Sequence, residues 1–165
     1  MIVNFRIDDR LIHGQVALAW AKAIGAQGIV VANDAAATNE MQKTMLKMAA
    51  PAGQKLIIQT IDAAIQLLQN PKAQNMTLFV IVGRVCDALK IAQALPEIKE
   101  VNCAGAGRLD AVDKKLIKEI VKSAVYLVDE EVEALKQLIA LGVNVYSQQL
   151  PELGRINVAE AIKSL

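Results

Sequence analysis

The stretch Arg6-Ile7-Asp8-Asp9-Arg10-Leu11-Ile12-His13-Gly14-Gln15-Val16 holds two arginines, two aspartates and the only histidine of the 165 residues. A neutral imidazole nitrogen is a nucleophile, and an ordinary histidine, with a pKa of about 6.5, is largely neutral in the cytosol. A phosphoryl group passing to such a nitrogen needs little from a protein beyond positioning and charge neutralisation. Arg6 and Arg10 can supply the positive charge, and Asp9 can accept a hydrogen bond from the second ring nitrogen and so fix the tautomer. Backbone N–H groups following Gly14 favour a bound anion if a helix begins there. His13 is therefore the candidate acceptor, with Arg6, Arg10 and Asp9 around it and Gly14 and Gln15 facing a phosphoryl group or a partner. Two other uses of these residues stay open: His13 as general base beside Asp9 in a small-substrate enzyme, or a loop that binds a phosphorylated ligand without reacting. A local salt-bridge cluster beside a solvent-facing histidine is the bland reading, and so many charges in one loop argue against it.

The flanking residues say how such a loop is held. Met1 to Phe5 read as the start of a strand and Val16 to Ile24 as a helix stopped by Gly25. The stretch is then a strand-to-helix turn, and in open α/β sheets ligands bind at the carboxyl ends of the strands. Gly28 to Ala32 is a short apolar run suited to a strand covered on both faces, and Asn33 and Asp34 at its end occupy the same kind of position as His13. A helix is expected from near Asn39, with Gln42 as its capping partner. Its Met41, Met45, Leu46 and Met48 are expected to pack in the core, the other reading being a plastic binding surface.

Leu56 to Ile58 form the next strand, and Thr60 caps a helix carrying Ile61, Ala64, Ile65 and Leu68 that stops at Asn70-Pro71. Thr77 to Val82 form a fourth strand, and Gly83-Arg84 lead into a helix with Leu89, Ala92 and Leu95. Arg84 joins the residues expected to face the site, whereas Cys86 beside it reads as a small buried or half-buried thiol. Val101 to Cys103 lead into Gly105-Ala106-Gly107-Arg108, another crossover loop that can face the site. Lys114, Lys115, Lys118 and Lys122 alternate with Leu116, Ile117, Ile120 and Val121, which predicts an amphipathic helix within 109–123 with a solvated lysine face. Ala124 to Val128 make a strand, Asp129 caps a helix lined by Val132, Leu135, Leu138 and Ile139, and Val143 to Tyr146 make the last strand. Asn157 and Glu160 cap a short closing helix. About seven strands separated by helices predict one α/β domain over residues 1–165, an open, mostly parallel, twisted sheet with helices on both faces.

Composition removes other classes. With 18 lysines and arginines against 17 acidic residues there is no field to hold nucleic acid. Aromatics at 3% within 54% apolar residues favour aliphatic helix-on-sheet packing. No apolar run nears the roughly 18 residues of a membrane span, and charges from Arg6 onward break any leader pattern, so a cytosolic protein is expected. Cys86 and Cys103 form no CxxC pair and should be reduced thiols, and one histidine with two separated cysteines offers no metal cluster. Gly105-Ala106-Gly107 lacks the third glycine of a dinucleotide fingerprint and no Gly-Lys-Ser/Thr occurs, so no cofactor is expected.

The string Arg6 to Val16 resembles the signature of the IIB component of the mannose/fructose/sorbose family of the bacterial phosphoenolpyruvate:sugar phosphotransferase system. The resemblance continues in Trp20, Val30-Val31-Ala32-Asn33-Asp34, Met48-Ala49-Ala50-Pro51, Leu138 and Gly142-Val143-Asn144-Val145. It implies a phosphoryl carrier at the inner face of the membrane. Such a carrier takes the group from a phosphohistidine of a IIA protein or domain and passes it to a sugar brought in by the membrane subunits IIC and IID. It implies further that His13 is the phosphorylated histidine, on Nδ1 as usually described for the family, and that Arg6 and Arg10 surround the phosphoryl group with Asp9 and Gln15 as neighbours. The chain departs from the family pattern at Asn102-Cys103-Ala104-Gly105-Ala106-Gly107-Arg108 and in the lysine-bearing segment after it. The sugar and the oligomeric state, a homo-oligomer included, are not specified by the resemblance.

Overall fold

The computed structural model describes residues 1–109 and 113–165. Six strands run parallel: β1 (Ile2–Asp8), β2 (Gly28–Ala32), β3 (Lys55–Gln59), β4 (Leu78–Val82), β5 (Glu100–Gly105) and β8 (Asn144–Ser147). A short β9 (Ile156–Asn157) adds antiparallel to β8, giving a seven-stranded sheet in the order β3-β2-β4-β1-β5-β8-β9. β6 (Lys118–Val121) and β7 (Val125–Leu127) form a separate hairpin, joined to the end of β5 by a bridge between Ala106 and Val125. The two-residue period of strands divides β2 cleanly. Ile29 and Val31 pack on one face and Val30 and Ala32 on the other, all of them buried.

The face of Ile29 and Val31 is covered by α1 (Gly14–Ile24), the single turn α2 (Asp34–Ala37) and α3 (Glu40–Ala49) through Ala17, Trp20, Ala36 and Leu46. The opposite face is covered by α4 (Ile61–Gln69), α6 (Val85–Ala94), α7 (Asp129–Ala140) and α8 (Val158–Lys163), with the turn α5 (Pro71–Gln74) beside α4. Most of these helices begin where a side chain takes an orphan N–H. Asn33, Asn39, Thr60, Asn70 and Asn157 cap α2, α3, α4, α5 and α8.

Three sequence expectations change. The helix predicted within 109–123 is replaced, over its described residues, by a 3-10 turn at Lys114–Leu116 and strand β6; residues 110–112 lie outside the described ones. Ile120 and Val121 are buried, and Ser123 at φ +62° turns the chain back into β7. The strand expected at 124–128 therefore belongs to this hairpin, and β9 takes the seventh place in the sheet. Second, the methionines of α3 are not core: Met41, Met45 and Met48 are 74%, 64% and 82% exposed. At about 100° per residue they share one stripe, and Leu46, a full step round from Met45, is the residue turned to the sheet. Third, Asp129 is not a cap but the first residue of α7, which Val128 precedes.

Candidate functional site

β1 lies between β4 and β5, and its carboxyl end delivers the charged loop to the edge of the sheet. Alternation along the strand sends Arg6 and Asp8 to the same side. Between Ile7 and Asp8 the pairing with β5 shifts by one residue, from Cys103 to Gly105, a bulge of the kind that re-aims side chains beside sites. Asp8 then makes a turn of its own, its Oδ1 accepting from the Arg10 amide at 3.1 Å and its carbonyl from the Leu11 amide at 2.9 Å. Leu11, at φ +57°, and Ile12 are buried in the face under α1 and anchor the loop to it. Gly14 follows at φ +44°; a Cβ there would meet nothing within 4 Å, so backbone conformation rather than space calls for glycine.

Asp8, fully buried, is the hub. Its Oδ2 takes Arg6 Nη2 at 3.0 Å and Nε at 3.3 Å, and its Oδ1 takes Arg108 Nη2 at 2.9 Å. Arg10 Nε stands 4.0 Å from Oδ1 and His13 Nδ1 3.9 Å from Oδ2. The orienting carboxylate nearest the imidazole is therefore Asp8 and not Asp9. Asp9 is turned the other way, onto the loop after β5: it accepts from the Arg108 amide at 2.7 Å, the Leu109 amide at 3.2 Å and the Arg108 guanidinium at 2.7 and 3.1 Å.

The two sequence-predicted arginines also separate. Arg6 is buried, its guanidinium bound to Asp8 and to the carbonyls of Gln148 and Gln149 and lying 5.6 Å over the Trp20 ring. Burial holds its pKa below the ordinary arginine value against the pull of Asp8. Arg10 is 42% exposed and, among the described residues, its guanidinium has only the 4.0 Å approach to Asp8, leaving it available to an incoming anion.

His13 is the residue before α1 and has extended backbone (φ −147°, ψ 125°), but its side chain caps nothing, and the first turn of α1 holds no acidic residue. Among the described helices α1 alone lacks both. Both ring nitrogens of His13 are covered and, among the described residues, neither has a hydrogen-bond partner. Burial pushes the His13 pKa below its ordinary value; Asp8 opposes this and Arg10 and Arg6 reinforce it, so the imidazole is neutral near pH 7.

The remaining candidates share the edge with less freedom. Asn33 caps Ala36 N at 2.9 Å, and Asp34 Oδ1 accepts from the Ile61 amide at 2.9 Å, so both side chains start helices. Gly83 passes close to Asn33 and Leu11: a Cβ there would stand 3.1 Å from Asn33 Nδ2 and 3.5 Å from Leu11 Cδ2. Arg84, half exposed, holds Glu131 at 3.0 Å; Gly14 and Gln15 are exposed. Among the described residues no three His, Cys, Asp or Glu side chains gather as a metal site. A crevice of about 730 Å³ opens at the other edge of the sheet, among Met1, Phe5, Leu68, Ile98 and Tyr146, away from this loop.

Asp8 as hub and Arg108 as its partner were missing from the sequence-predicted site. The strand period, which puts Asp8 beside Arg6, was the available signal for the first; nothing in sequence pairs Asp9 with a residue 99 positions away.

The family described as PTS system sorbose subfamily IIB component matches residues 2–164. The chain is 41% identical to the "Probable phosphotransferase enzyme IIB component" of Streptococcus pyogenes serotype M6, over 98% of this chain and 99% of that one. It is 28% identical to the mannose-specific EIIAB component of Escherichia coli K12, covering 97% of this chain and 48% of that longer protein. In structure it superposes on the IIBSor domain of the sorbose permease from Klebsiella pneumoniae with a TM-score of 0.90 and 30% identity, over 99% of this chain and 97% of that one. Among the described residues no helix is long and apolar enough to cross a membrane. The chain belongs to the IIB components of the sorbose family of the sugar phosphotransferase system.

Proposed function

We propose that residues 1–165 act as one phosphoryl carrier at the cytoplasmic face of the membrane. In this reading His13 accepts the group from a phosphohistidine of a IIA protein or domain and yields it to a sugar carried by IIC and IID. The observation that carries the reading is the uncapped amino end of α1, with a neutral histidine at its mouth and Arg10 open beside it. The N–H groups of the first turn and the Arg10 guanidinium are what a phosphoryl oxygen needs on both the incoming and outgoing paths. Asp8 orients the loop, and Arg6 works from the interior by holding Asp8.

The seated ring must turn for this chemistry. Its nitrogens are covered, and Nδ1 lies toward the Asp8 carboxylate, which repels a phosphoryl group. In this reading, rotation about the side-chain bonds carries Nδ1 away from Asp8, as phosphorylation at Nδ1 requires. The same covered nitrogens favour, as a second reading, a loop that binds a phosphorylated ligand without transfer.

Intact-protein mass after incubation with phosphoenolpyruvate, the general phosphotransferase proteins and a IIA of this family separates the two. Transfer predicts one acid-labile phosphoryl group on the wild type and none on His13→Gln, which stays folded. A loop that only binds predicts no mass gain on either protein while the IIA is itself charged, and phosphate binding retained by His13→Gln.

A further inference from the structure

The loop after β5 is built to return one side chain to the His13 loop. A Cβ on Gly105 would lie 1.9 Å from Arg108 Nη2, and one on Gly107, at φ +71°, would lie 1.8 Å from the Tyr126 carbonyl oxygen. Two glycines thus let the chain turn tightly against β7 and let Arg108 cross its own backbone. Asp9 closes the crossing from the other side, its amide donating to the Gly105 carbonyl at 3.0 Å. The Arg108 side chain is 19% exposed, against 8% for Asp9 and 0% for Asp8.

We infer that Arg108 is a positioning residue, one that keeps Arg10 free for the phosphoryl group by saturating Asp8 Oδ1 and Asp9. The inference rests on the carrier reading and deepens it. Arg108 Nη2 occupies Asp8 Oδ1 at 2.9 Å, the same oxygen that Arg10 Nε approaches at 4.0 Å. With Arg108 in place that carboxylate oxygen has a cationic partner besides the Arg10 backbone amide, and the Arg10 guanidinium can leave for solvent and an incoming anion. Without it, Asp8 Oδ1 keeps, among the described residues, the Arg10 backbone amide but no cation; Arg6 is already committed to Oδ2, so the carboxylate draws the Arg10 guanidinium inward. Arg108 itself points at carboxylates, not at the mouth of α1, and does not touch the reacting atoms.

A double-mutant cycle in single-turnover transfer from a phosphorylated IIA tests this. Arg108→Ala is expected to slow the limiting rate by about tenfold, with the half-saturating donor concentration changed less than about twofold. Added to Arg10→Ala, the same change is expected to slow transfer by less than about twofold, because Arg10 is no longer there to be captured. Arg108→Lys, which keeps the charge but not the fork, should recover part of the rate. Wild-type rates in Arg108→Ala, independent multiplication with Arg10→Ala, or a weakened donor affinity at an unchanged limiting rate would each overturn the inference.

If the wild type takes no phosphoryl group, the carrier reading fails separately. The inference is then read from inorganic phosphate titrated against the His13 ring resonances. Binding weakened in Arg108→Ala to the level of Arg10→Ala supports it; wild-type binding by Arg108→Ala, or no binding by the wild type, overturns it.

Discussion

Two strand-to-helix turns stand side by side at the same edge of the sheet, one after β1 and one after β4, and their helices begin in opposite ways. After β4, Arg84 precedes α6 and caps nothing, but Glu131 reaches over from α7. Its Oε2 accepts from the Cys86 amide at 3.2 Å, and its Oε1 lies 3.0 Å from Arg84 Nη2. The fold thus supplies the negative charge that this helix end attracts. After β1, His13 also caps nothing, and among the described residues no carboxylate comes to the first turn of α1, because Asp8 and Asp9 are turned onto arginines behind the loop. One turn is finished by the protein; in the proposed reading the other takes an anion from outside.

The thiol of Cys86 makes the same point. A cysteine at a helix start is often acidic, yet burial and then Glu131 push Cys86 up to about 12, so it stays protonated. The nearby imidazole is shifted the other way, toward the form that can attack.

Substitutions at the two turns test this contrast. Between the arginines of the two turns the larger effect is expected for Arg10→Ala, about a hundredfold in transfer rate by stopped or quenched kinetics, whereas Arg84→Ala should stay within about threefold. Comparable losses would erase the distinction between the turns. Glu131→Ala should act on the other side of it, costing about 1–3 kcal/mol in urea unfolding because the α6 amide loses its partner, with transfer preserved.

The pH dependence of acceptance should hold as acidity rises to about 6.5 and fall only below that, since the reacting form is neutral and its pKa lies under the ordinary value. Removing Arg10, whose charge helps to lower that pKa, should move the falling limb to higher pH. His13→Asn should raise stability by about 0.5–1 kcal/mol while abolishing transfer, because it gives α1 the cap that Asn33 and Asn39 give α2 and α3. The smallest effect belongs to Cys86→Ala, about 0.5 kcal/mol with unchanged transfer.

Much of this was legible in the chain. The apolar runs at Gly28–Ala32 and Leu78–Val82 and the asparagine and threonine caps mark their elements directly, because local chemistry decides them. The hairpin was not legible. Leu116, Ile117, Ile120 and Val121 fit helical spacing, yet the segment pairs as strands with β7, which a backbone bridge between Val125 and Ala106 ties to the end of β5. The α3 methionines misled because a helical repeat does not say which face meets the sheet. In the site, the histidine and the open arginine were visible as types in one loop. The division of labour between Asp8 and Asp9 was not, since it is set by Arg108 from across the sheet edge.

The most direct test of the central claim is the imidazole itself. With a single histidine in the chain, long-range proton–nitrogen correlation spectra of untagged protein contain one ring, followed through a pH titration and through phosphorylation. The ring is expected to be neutral at pH 7, with a midpoint below about 6.5, and one of its nitrogens to couple to phosphorus once the protein is charged. A ring that is cationic at pH 7, or one unchanged while the protein carries phosphate elsewhere, would contradict it.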